Sequence, residues 1–312
     1  MNPRILFMGT PDIAVTCLSA LVDAGMNVVG VVTRVDKPRG RHAILTPPPV
    51  KVYAEQRGIP VHQPRTLRDE AFNAYLDGMK PDIILVVAFG MILPPSVIHY
   101  PRFGCLNVHA SLLPRYRGAA PMQRAIMNGE RETGVTIMYM DEGLDTGDMI
   151  AAEATPISDT DNLETVHDRL AEIGARMLVD ATRAVFSGSA KRTPQDDSAS
   201  TYAKKIERED CRLDFSRTAR ELDCIIRGLS PMPYAWCLTP DGKSLKIISA
   251  RLTEGKGASG EVLSASADRG ELVIACGEGA LAVTALIPEG KSRMDAASYL
   301  RGRRLSVGEV LS

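Results

Sequence analysis

No apolar run in this sequence of 312 residues is long enough to cross a membrane. The longest one, residues 83–93, falls well short of the roughly 20 apolar residues that a transmembrane helix needs. The first residues also lack the apolar segment and small-residue cleavage site of a secretion signal. Six scattered cysteines form no close pair, which disfavours a disulfide framework and a zinc site. We therefore expect a cytoplasmic protein without a membrane anchor or a bound metal.

The sequence has no excess charge of either sign, since 37 lysines and arginines accompany 38 aspartates and glutamates. Residues 206–312 carry equal numbers of both, so neither part of the chain is a basic domain. Any contact with nucleic acid must then depend on local features and not on bulk charge. No GxGxxG fingerprint follows the first predicted strand and the P-loop pattern is absent, which disfavours a classical dinucleotide site and a P-loop nucleotide site.

The length corresponds to about two domains at roughly 150 residues each. In the first part, short apolar segments alternate with helical patterns, which is typical of a doubly wound, mostly parallel α/β sheet. Strands are predicted at residues 4–8, 26–33, 59–62, 81–89, 105–110 and 134–140. The continuous apolar segment 81–89 favours the sheet centre, and ligands of such sheets bind where the strands end. A long amphipathic helix, residues 162–186, closes this part.

The composition changes after residue 189. Residues 190–205 contain a polar stretch and are predicted to link a first domain, residues 1–189, to a second one, residues 206–312. In the second domain one short helix, residues 219–228, precedes several short strands that are separated by Gly, Asp and Pro. That spacing predicts a small antiparallel β-barrel or sandwich.

Asn107 and His109 lie two positions apart on a predicted strand, so their side chains share one face. The strand runs into a segment rich in turn formers, residues 111–121, at the edge of the sheet where ligands bind. Two interpretations of this pair are equally supported. Either both residues are functional, or His109 is structural and its ring is hydrogen-bonded to the backbone.

Four carboxylates follow another predicted strand within residues 141–148. Such a cluster could bind a metal or transfer protons, although a solvated turn explains most of its members. Asp145 is the best candidate for a carboxylate that faces inward next to His109, where it would orient the ring. Asn and His donors stabilise oxyanions and Asp moves protons, so the residues indicate a carbonyl-transfer site. No Ser or Cys stands out as a covalent nucleophile, which favours direct attack by an amine or water.

Two motifs resemble those of the folate-dependent formyltransferases: Asn-Val-His-Ala-Ser-Leu-Leu-Pro at residues 107–114 and Asp-Glu-Gly-Leu-Asp-Thr-Gly-Asp at residues 141–148. The similarity continues through Thr-Pro-Pro-Pro-Val-Lys at residues 46–51 and Arg-Gly-Leu-Ser-Pro-Met-Pro at residues 227–233, so it covers essentially the whole chain. It implies a Rossmann-like catalytic domain followed by an OB-like β-barrel. Within this family the chain is most similar to the members that act on methionyl-tRNA.

The resemblance implies that the formyl group of 10-formyltetrahydrofolate is transferred to the amino group of methionine on initiator tRNA, for translation initiation. Asn107 and His109 would hold the formyl oxygen as it becomes an oxyanion. Asp145 would pair with His109 and remove a proton from the attacking amine. The folate co-substrate would contact Ser111, Leu112, Leu113, Pro114, Val87, Phe89 and Gly90. Direct attack by the amine requires no metal.

By the same resemblance, a loop at residues 34–45 would enter the acceptor end of the tRNA. Its basic side chains, which suit contact with phosphates, are Arg34, Lys37, Arg39 and Arg41. The family often has further lysines after the Gly-Arg pair, where this chain has His-Ala-Ile, so the electrostatic contribution of the loop is expected to be smaller. The barrel would also bind tRNA, and the chain is expected to be a monomer.

Three other functions compete with this hypothesis. An amino-sugar formyltransferase shares both domains and the chemistry, but a sugar nucleotide needs no long basic loop. A formyltetrahydrofolate hydrolase would use the same three residues with water, and such enzymes carry different appended domains. A tRNA-binding protein without catalysis belongs to another class, and the joint presence of Asn107, His109 and Asp145 argues against it.

Overall fold

The computed structural model describes residues 2–39, 43–302 and 305–312, and for Arg39 the backbone alone. The first elements in chain order are β1 (Ile5–Gly9), α1 (Asp12–Asp23), β2 (Val28–Val32), β3 (Lys37–Arg39), β4 (Ile44–Thr46), α2 (Pro49–Gln56), β5 (Val61–His62), α3 (Glu70–Met79), β6 (Ile83–Val87), α4 (Pro95–Ile98), β7 (Cys105–His109), β8 (Arg117–Gly118), α5 (Pro121–Met127), β9 (Glu132–Tyr139), β10 (Met149–Pro156) and α6 (Leu163–Ser187). The later ones are β11 (Tyr202–Ala203), α7 (Ala219–Leu229), β12 (Ala235–Leu238), β13 (Ser244–Thr253), β14 (Val262–Ser266), β15 (Glu271–Ala275), β16 (Ala280–Pro288), β17 (Met294–Asp295) and α8 (Ala296–Gly302). Across these ranges, no helix combines the length and apolar character of a membrane-spanning helix.

Two compact units make up the described chain. The first contains the residues up to Gly118 together with Thr133–Thr155 and His167–Tyr202. The second contains Ala119–Glu132, Pro156–Val166 and Ala203–Ser312. Each unit is therefore assembled from separate stretches of sequence. The predicted domain boundaries at residues 189 and 206 instead divide the chain into continuous stretches. They stay a prediction.

A seven-stranded sheet organises the first unit, in the order β10-β9-β7-β6-β1-β2-β5. The pairs from β7 to β5 are parallel, whereas β9 runs antiparallel to β7. The prediction of a doubly wound, mostly parallel sheet is confirmed. The reversed direction of β9 does not follow from the alternation of strands and helices, because that pattern favours parallel pairs.

The centre of the sheet is formed by β1 and β6, and all ten of their residues are buried. Both strands are continuous apolar runs, as expected where helices cover both faces of a sheet. Leu6 and Ile84 pack in one core cluster with Phe72 and Leu76 from α3. Because β1, β6 and β7 are parallel neighbours, their carboxyl ends lie side by side at one edge.

The second unit is built around an antiparallel sheet in the order β12-β13-β16-β15-β14, with β17 paired to β16. Its last residues join the two outer strands. The backbone of Leu238 exchanges hydrogen bonds of 2.6 and 3.0 Å with Ser312, and the Val262 N–H donates to Glu309 at 2.8 Å. These bonds close the sheet on itself, which confirms the predicted small antiparallel barrel.

Several elements were not predicted. The segment expected to be a loop, residues 34–45, contains β3 and most of β4, which pair as a hairpin. The strand β10 was missed because its sequence, Met-Ile-Ala-Ala-Glu-Ala-Thr-Pro, lacks strict alternation and has many exposed residues, as an edge strand does. The short elements β17 and α8 also carried too few residues for a recognisable periodic pattern.

A capping box begins α7 in the second unit. The Thr218 hydroxyl accepts from the Glu221 N–H at 3.2 Å, and the Glu221 carboxylate accepts from the Thr218 N–H at 3.0 Å. The bond from the Thr218 N–H, followed by that from the Arg217 guanidinium, lowers the pKa of Glu221 to about 2. The charged form of Glu221 is therefore the one that stabilises the folded chain.

Glu221→Gln should lower the melting temperature at neutral pH, because glutamine keeps a capping oxygen but loses the charge. A carboxylate whose pKa falls on folding stabilises the protein above its ordinary pKa, and this contribution disappears as the group is protonated. The difference from wild type should therefore close as the pH falls from the ordinary value of 4.5 to about 2. Melting curves across this range, with Glu254→Gln at an exposed site as the control, test this; a gap that does not change with pH would contradict it.

Candidate active site

The carboxyl ends of β1 and β6 are tied together at the edge where ligands of parallel sheets bind. The Thr10 hydroxyl, directly after β1, donates to the carbonyl of Phe89, just beyond β6, over 2.9 Å. Around this bond the backbone is unusual, because Ala88 has a φ of +45° and Gly90 a φ of +78°. Non-glycine residues with positive φ are uncommon and concentrate at functional sites. The backbone conformation directly after β6 is therefore restricted, and Ala88 and Gly90 are exposed there.

His109 ends β7 and is almost completely buried, with 5% of its surface exposed. Its Nε2 lies 3.0 Å from the carbonyl oxygen of Tyr116. A carbonyl only accepts hydrogen bonds, so Nε2 must carry the proton. The other nitrogen, Nδ1, is left for the site and becomes a donor only in the protonated ring. The interpretation of His109 as a structural residue, with its ring hydrogen-bonded to the backbone, thus explains the position of Nε2 but not that of Nδ1.

The fold brings Asp145 to His109 although 36 residues separate them in the sequence. The Asp145 Oδ2 lies 3.7 Å from the His109 Nδ1, and the two side chains are 15% and 6% exposed. The same oxygen accepts a hydrogen bond of 2.8 Å from the Gly118 N–H. Asp145 has a φ of +54°, a left-handed conformation that Asp adopts more readily than most residues. Backbone conformation and the Gly118 bond together direct the carboxylate toward the ring.

Asn107 lies two residues before His109 on β7 and is half-buried. Its backbone pairs with Val86 of β6 and Met138 of β9, so the strand position is held from both sides. Within the described ranges its side-chain amide makes no hydrogen bond to the protein. An amide has two N–H donors, and those of Asn107 are therefore available to a ligand.

The residues predicted to contact folate differ in whether their side chains or only their backbone atoms can reach a ligand. Val87 and Phe89 are 1% and 2% exposed, so their side chains belong to the core and only their backbone can reach a ligand. The Ser111 hydroxyl donates to the Arg115 carbonyl at 2.7 Å, and this bond stabilises the turn. Of the remaining residues, Leu113 is buried, Leu112 and Pro114 are half-buried and Gly90 is exposed.

Two threonines that the sequence analysis did not identify shape the turn after β7. The Thr136 hydroxyl donates to the Ser111 carbonyl at 2.7 Å and accepts from the Leu113 N–H at 3.1 Å. The Thr201 hydroxyl accepts from the Tyr116 N–H at 2.8 Å. A threonine among apolar residues in β9 was the available signal for Thr136, whereas nothing in the sequence pointed to Thr201, which lies 85 residues from its partner.

A glutamine in the segment predicted to be a linker also reaches this region. The Gln195 amide donates to the carbonyls of Asp145 and Gly147 at 2.9 and 2.8 Å. Its position in a polar stretch carries no sequence signal for such a contact.

The other carboxylates of residues 141–148 do not converge on one point. Asp141 accepts hydrogen bonds from the Gly143 N–H and the Thr146 hydroxyl at 3.1 and 2.7 Å. Glu142 is exposed and faces His99 across 3.3 Å. Over the part of the chain that the structure covers, no group of three or more His, Cys, Asp or Glu side chains is arranged to hold a metal ion.

The basic loop is anchored through its only acid, Asp36. The Lys51 Nζ lies 2.9 Å from the Asp36 carboxylate, and the Gln63 amide donates to it at 2.7 Å. These bonds, first that from Gln63, hold the pKa of Asp36 below its ordinary value. Because Lys51 balances Asp36, this acid does not offset the basic residues of the loop. Of those, Lys37 is exposed and Arg34 is half-buried, while Arg41 and the side chain of Arg39 lie outside the described residues.

Two family models match the chain. One, described as formyl transferase, matches residues 3–182. The other, described as formyl transferase, C-terminal domain, matches residues 205–304. The methionyl-tRNA formyltransferase of Macrococcus caseolyticus is 49% identical over 303 residues, which are 96% of this chain and 96% of that protein.

Solved structures show the same fold at lower identity. HypX from Aquifex aeolicus, in complex with tetrahydrofolic acid, is 21% identical with a TM-score of 0.68. The match covers 96% of this chain and 47% of HypX, so the chain spans about half of that protein. WlaRD, a sugar 3N-formyl transferase in the presence of dTDP and 5-N-formyl-THF, is 20% identical with a TM-score of 0.66. The match covers 94% of this chain and 100% of WlaRD.

Gly147→Ala should destabilise the protein and displace the loop that carries Asp145. A Cβ at Gly147 would lie 1.9 Å from the carbonyl oxygen of Tyr139, so the backbone of β9 would have to move. We expect a loss of about 1–3 kcal/mol in the free energy of unfolding, measured in urea. Gly143→Ala is the matched control on the same loop and should cost less, because the atoms nearest to its Cβ belong to the Thr146 side chain and not to the backbone. Equal losses in the two variants would contradict this explanation.

Proposed function

The chain belongs to the methionyl-tRNA formyltransferase family, and from this membership we propose that it transfers the formyl group of 10-formyltetrahydrofolate to the amino group of methionine on initiator tRNA. The observation that carries the proposal is the similarity over nearly the whole length, at 49% identity across 96% of both chains. The likeness to a sugar formyltransferase, at 20% identity, concerns the fold and does not favour a sugar substrate.

The reaction requires a charge to be stabilised and a proton to be moved. The methionine nitrogen attacks the formyl carbon, the bond from that carbon to N10 of the folate breaks, and a proton passes from the amine to N10. Negative charge develops on the formyl oxygen before the bond to N10 breaks. Preorganised donors aimed at such an oxygen are commonly the largest single contribution to catalysis of this kind.

We assign these tasks to the three residues at the carboxyl end of β7 and in the loop after β9. The Asn107 amide, which has no protein partner in the described chain, and His109, whose Nδ1 is left for the site, hold the formyl oxygen. The Asp145 carboxylate accepts the proton of the attacking amine, since only Oδ2 is occupied by the Gly118 N–H within the residues described. Proton transfer by a positioned carboxylate contributes roughly 10²- to 10⁴-fold.

The remaining assignments concern the two substrates. We propose that folate lies along the edge formed by residues 87–90 and 111–114, with Val87 and Phe89 acting through their backbone. The tRNA would be contacted by the second unit and by Arg34, Lys37, Arg39 and Arg41. The monomeric state and the cytoplasmic location stay predictions.

A parallel assay tests the function. Formyl transfer from 10-formyltetrahydrofolate is measured with methionine-charged initiator tRNA, with an amino-sugar nucleotide, and with water alone. We expect formylated product on the tRNA only. Product on the sugar would replace the proposed acceptor, and release of formate in water at the same rate would indicate a hydrolase.

Asn107→Ala should lower kcat by roughly 10²- to 10³-fold and leave folate binding nearly unchanged, because the lost donor acts on the transition state. Steady-state kinetics and a folate-binding titration measure the two effects separately. Asn73→Ala, an exposed asparagine on α3, is the control and should behave as wild type. Near-normal turnover of Asn107→Ala would remove the amide from the mechanism.

Lys37→Gln and Arg41→Gln should weaken tRNA binding and reduce its salt dependence by about one released counterion each. The slope of log Kd against log salt concentration is measured for each variant and for the pair. Lys191→Gln replaces an exposed lysine outside the loop and should keep the wild-type slope. An unchanged slope in the double variant would exclude phosphate contacts by these side chains.

A further inference from the structure

We propose that Gln195 is a positioning residue that holds the Asp145 carboxylate at its working distance from His109. The inference rests on the proposed function, because it assigns Gln195 a role through Asp145. Gln195 lies between the stretches that the two family models match, residues 3–182 and 205–304. It is half-buried, and its contacts all lie within the first unit.

Both N–H groups of the Gln195 amide are used on the loop that carries Asp145. They donate to the carbonyl of Asp145 at 2.9 Å and to that of Gly147 at 2.8 Å. These two carbonyls lie on either side of the turn at Thr146, directly after the left-handed backbone of Asp145. The amide therefore fixes the peptide orientation on which the direction of the Asp145 side chain depends.

The orientation of the amide is itself determined by Arg117. The Gln195 Oε1 accepts from the Arg117 Nε at 3.0 Å and from its Nη2 at 2.8 Å. A guanidinium only donates, so the oxygen of Gln195 must face it and the NH₂ group must face the loop. Arg117 is buried, and its Nη2 also donates to Asp197 at 2.7 Å. All four hydrogen-bonding positions of the Gln195 amide are thus occupied in one arrangement.

Arg117 and its neighbour Gly118 act on Asp145 from two directions. The Gly118 N–H binds the carboxylate directly at 2.8 Å, and Arg117 binds the backbone of Asp145 through Gln195. A closed ring of hydrogen bonds results, and rotation of the Asp145 backbone would break it. An error of about 1 Å in the position of a reacting group can cost about 10²-fold in rate.

Gln195→Glu separates positioning from support of the fold, because it keeps the size and the acceptor for Arg117. It replaces the donating NH₂ by an oxygen that faces two carbonyls. We expect kcat for formyl transfer to fall about 10²-fold, while KM for folate and for methionyl-tRNA stays close to wild type and the melting temperature falls by no more than the loss of two partly buried hydrogen bonds explains. Asp197→Asn is the matched control, since Asp197 binds the same arginine but is 81% exposed and should leave kcat nearly unchanged.

A double-mutant cycle with Asp145→Asn distinguishes a role of Gln195 through Asp145 from a general structural role. If Gln195 acts only through Asp145, the double variant should be no slower than Asp145→Asn alone. Single-turnover assays with excess enzyme measure these low rates. Losses that multiply, a normal kcat in Gln195→Glu, or an effect confined to KM would each overturn the inference. Absence of transfer by the wild type would instead overturn the proposed function, and the inference with it.

Discussion

The hydrogen bond from the Gly118 N–H to the Asp145 carboxylate is the contact on which the geometry of the site depends. It joins the turn after β7 to the loop after β9, two segments that Arg117 and Gln195 also connect through the backbone of Asp145. His109 cannot adjust to a displaced carboxylate, because its Nε2 is bonded to the Tyr116 carbonyl and the ring is buried. The separation of 3.7 Å between His109 and Asp145 is therefore determined by how these two segments are joined.

The turn after β7 is in turn stabilised by groups from distant parts of the chain. Thr136 of β9 fixes the backbone at Ser111 and Leu113, and Thr201 fixes it at Tyr116. Each bond satisfies a backbone group that has no partner in a regular strand or helix, and an unpaired buried group of this kind is costly. A turn of this shape therefore requires polar side chains supplied by β9 and by the segment after α6.

Charge is organised locally in this nearly neutral chain. The ion pair between Asp36 and Lys51 removes the only acid of the basic loop from the local balance, so the loop keeps its positive charge. Such an arrangement suits a protein that binds one polyanion at one place, because a generally basic surface would attract nucleic acids without discrimination. The same ion pair connects the loop to α2 and thereby to the sheet unit.

The residue pattern was sufficient for the type of fold, because fold type depends on short-range information, whereas the chemistry followed from the resemblance of two motifs to a family. The apolar run of β6 predicted the sheet centre, and the two motifs at residues 107–114 and 141–148 predicted the family by their resemblance and the reacting groups as a hypothesis. The antiparallel direction of β9, the choice of the His109 nitrogen that faces Asp145 and the contacts of Gln195 were decided only by the tertiary structure. Gln195 and Asp145 are separated by 50 residues, and no local periodicity encodes which side chains meet across such a distance. Strand pairing and loop packing determine those meetings, because they act between segments that are remote in the sequence.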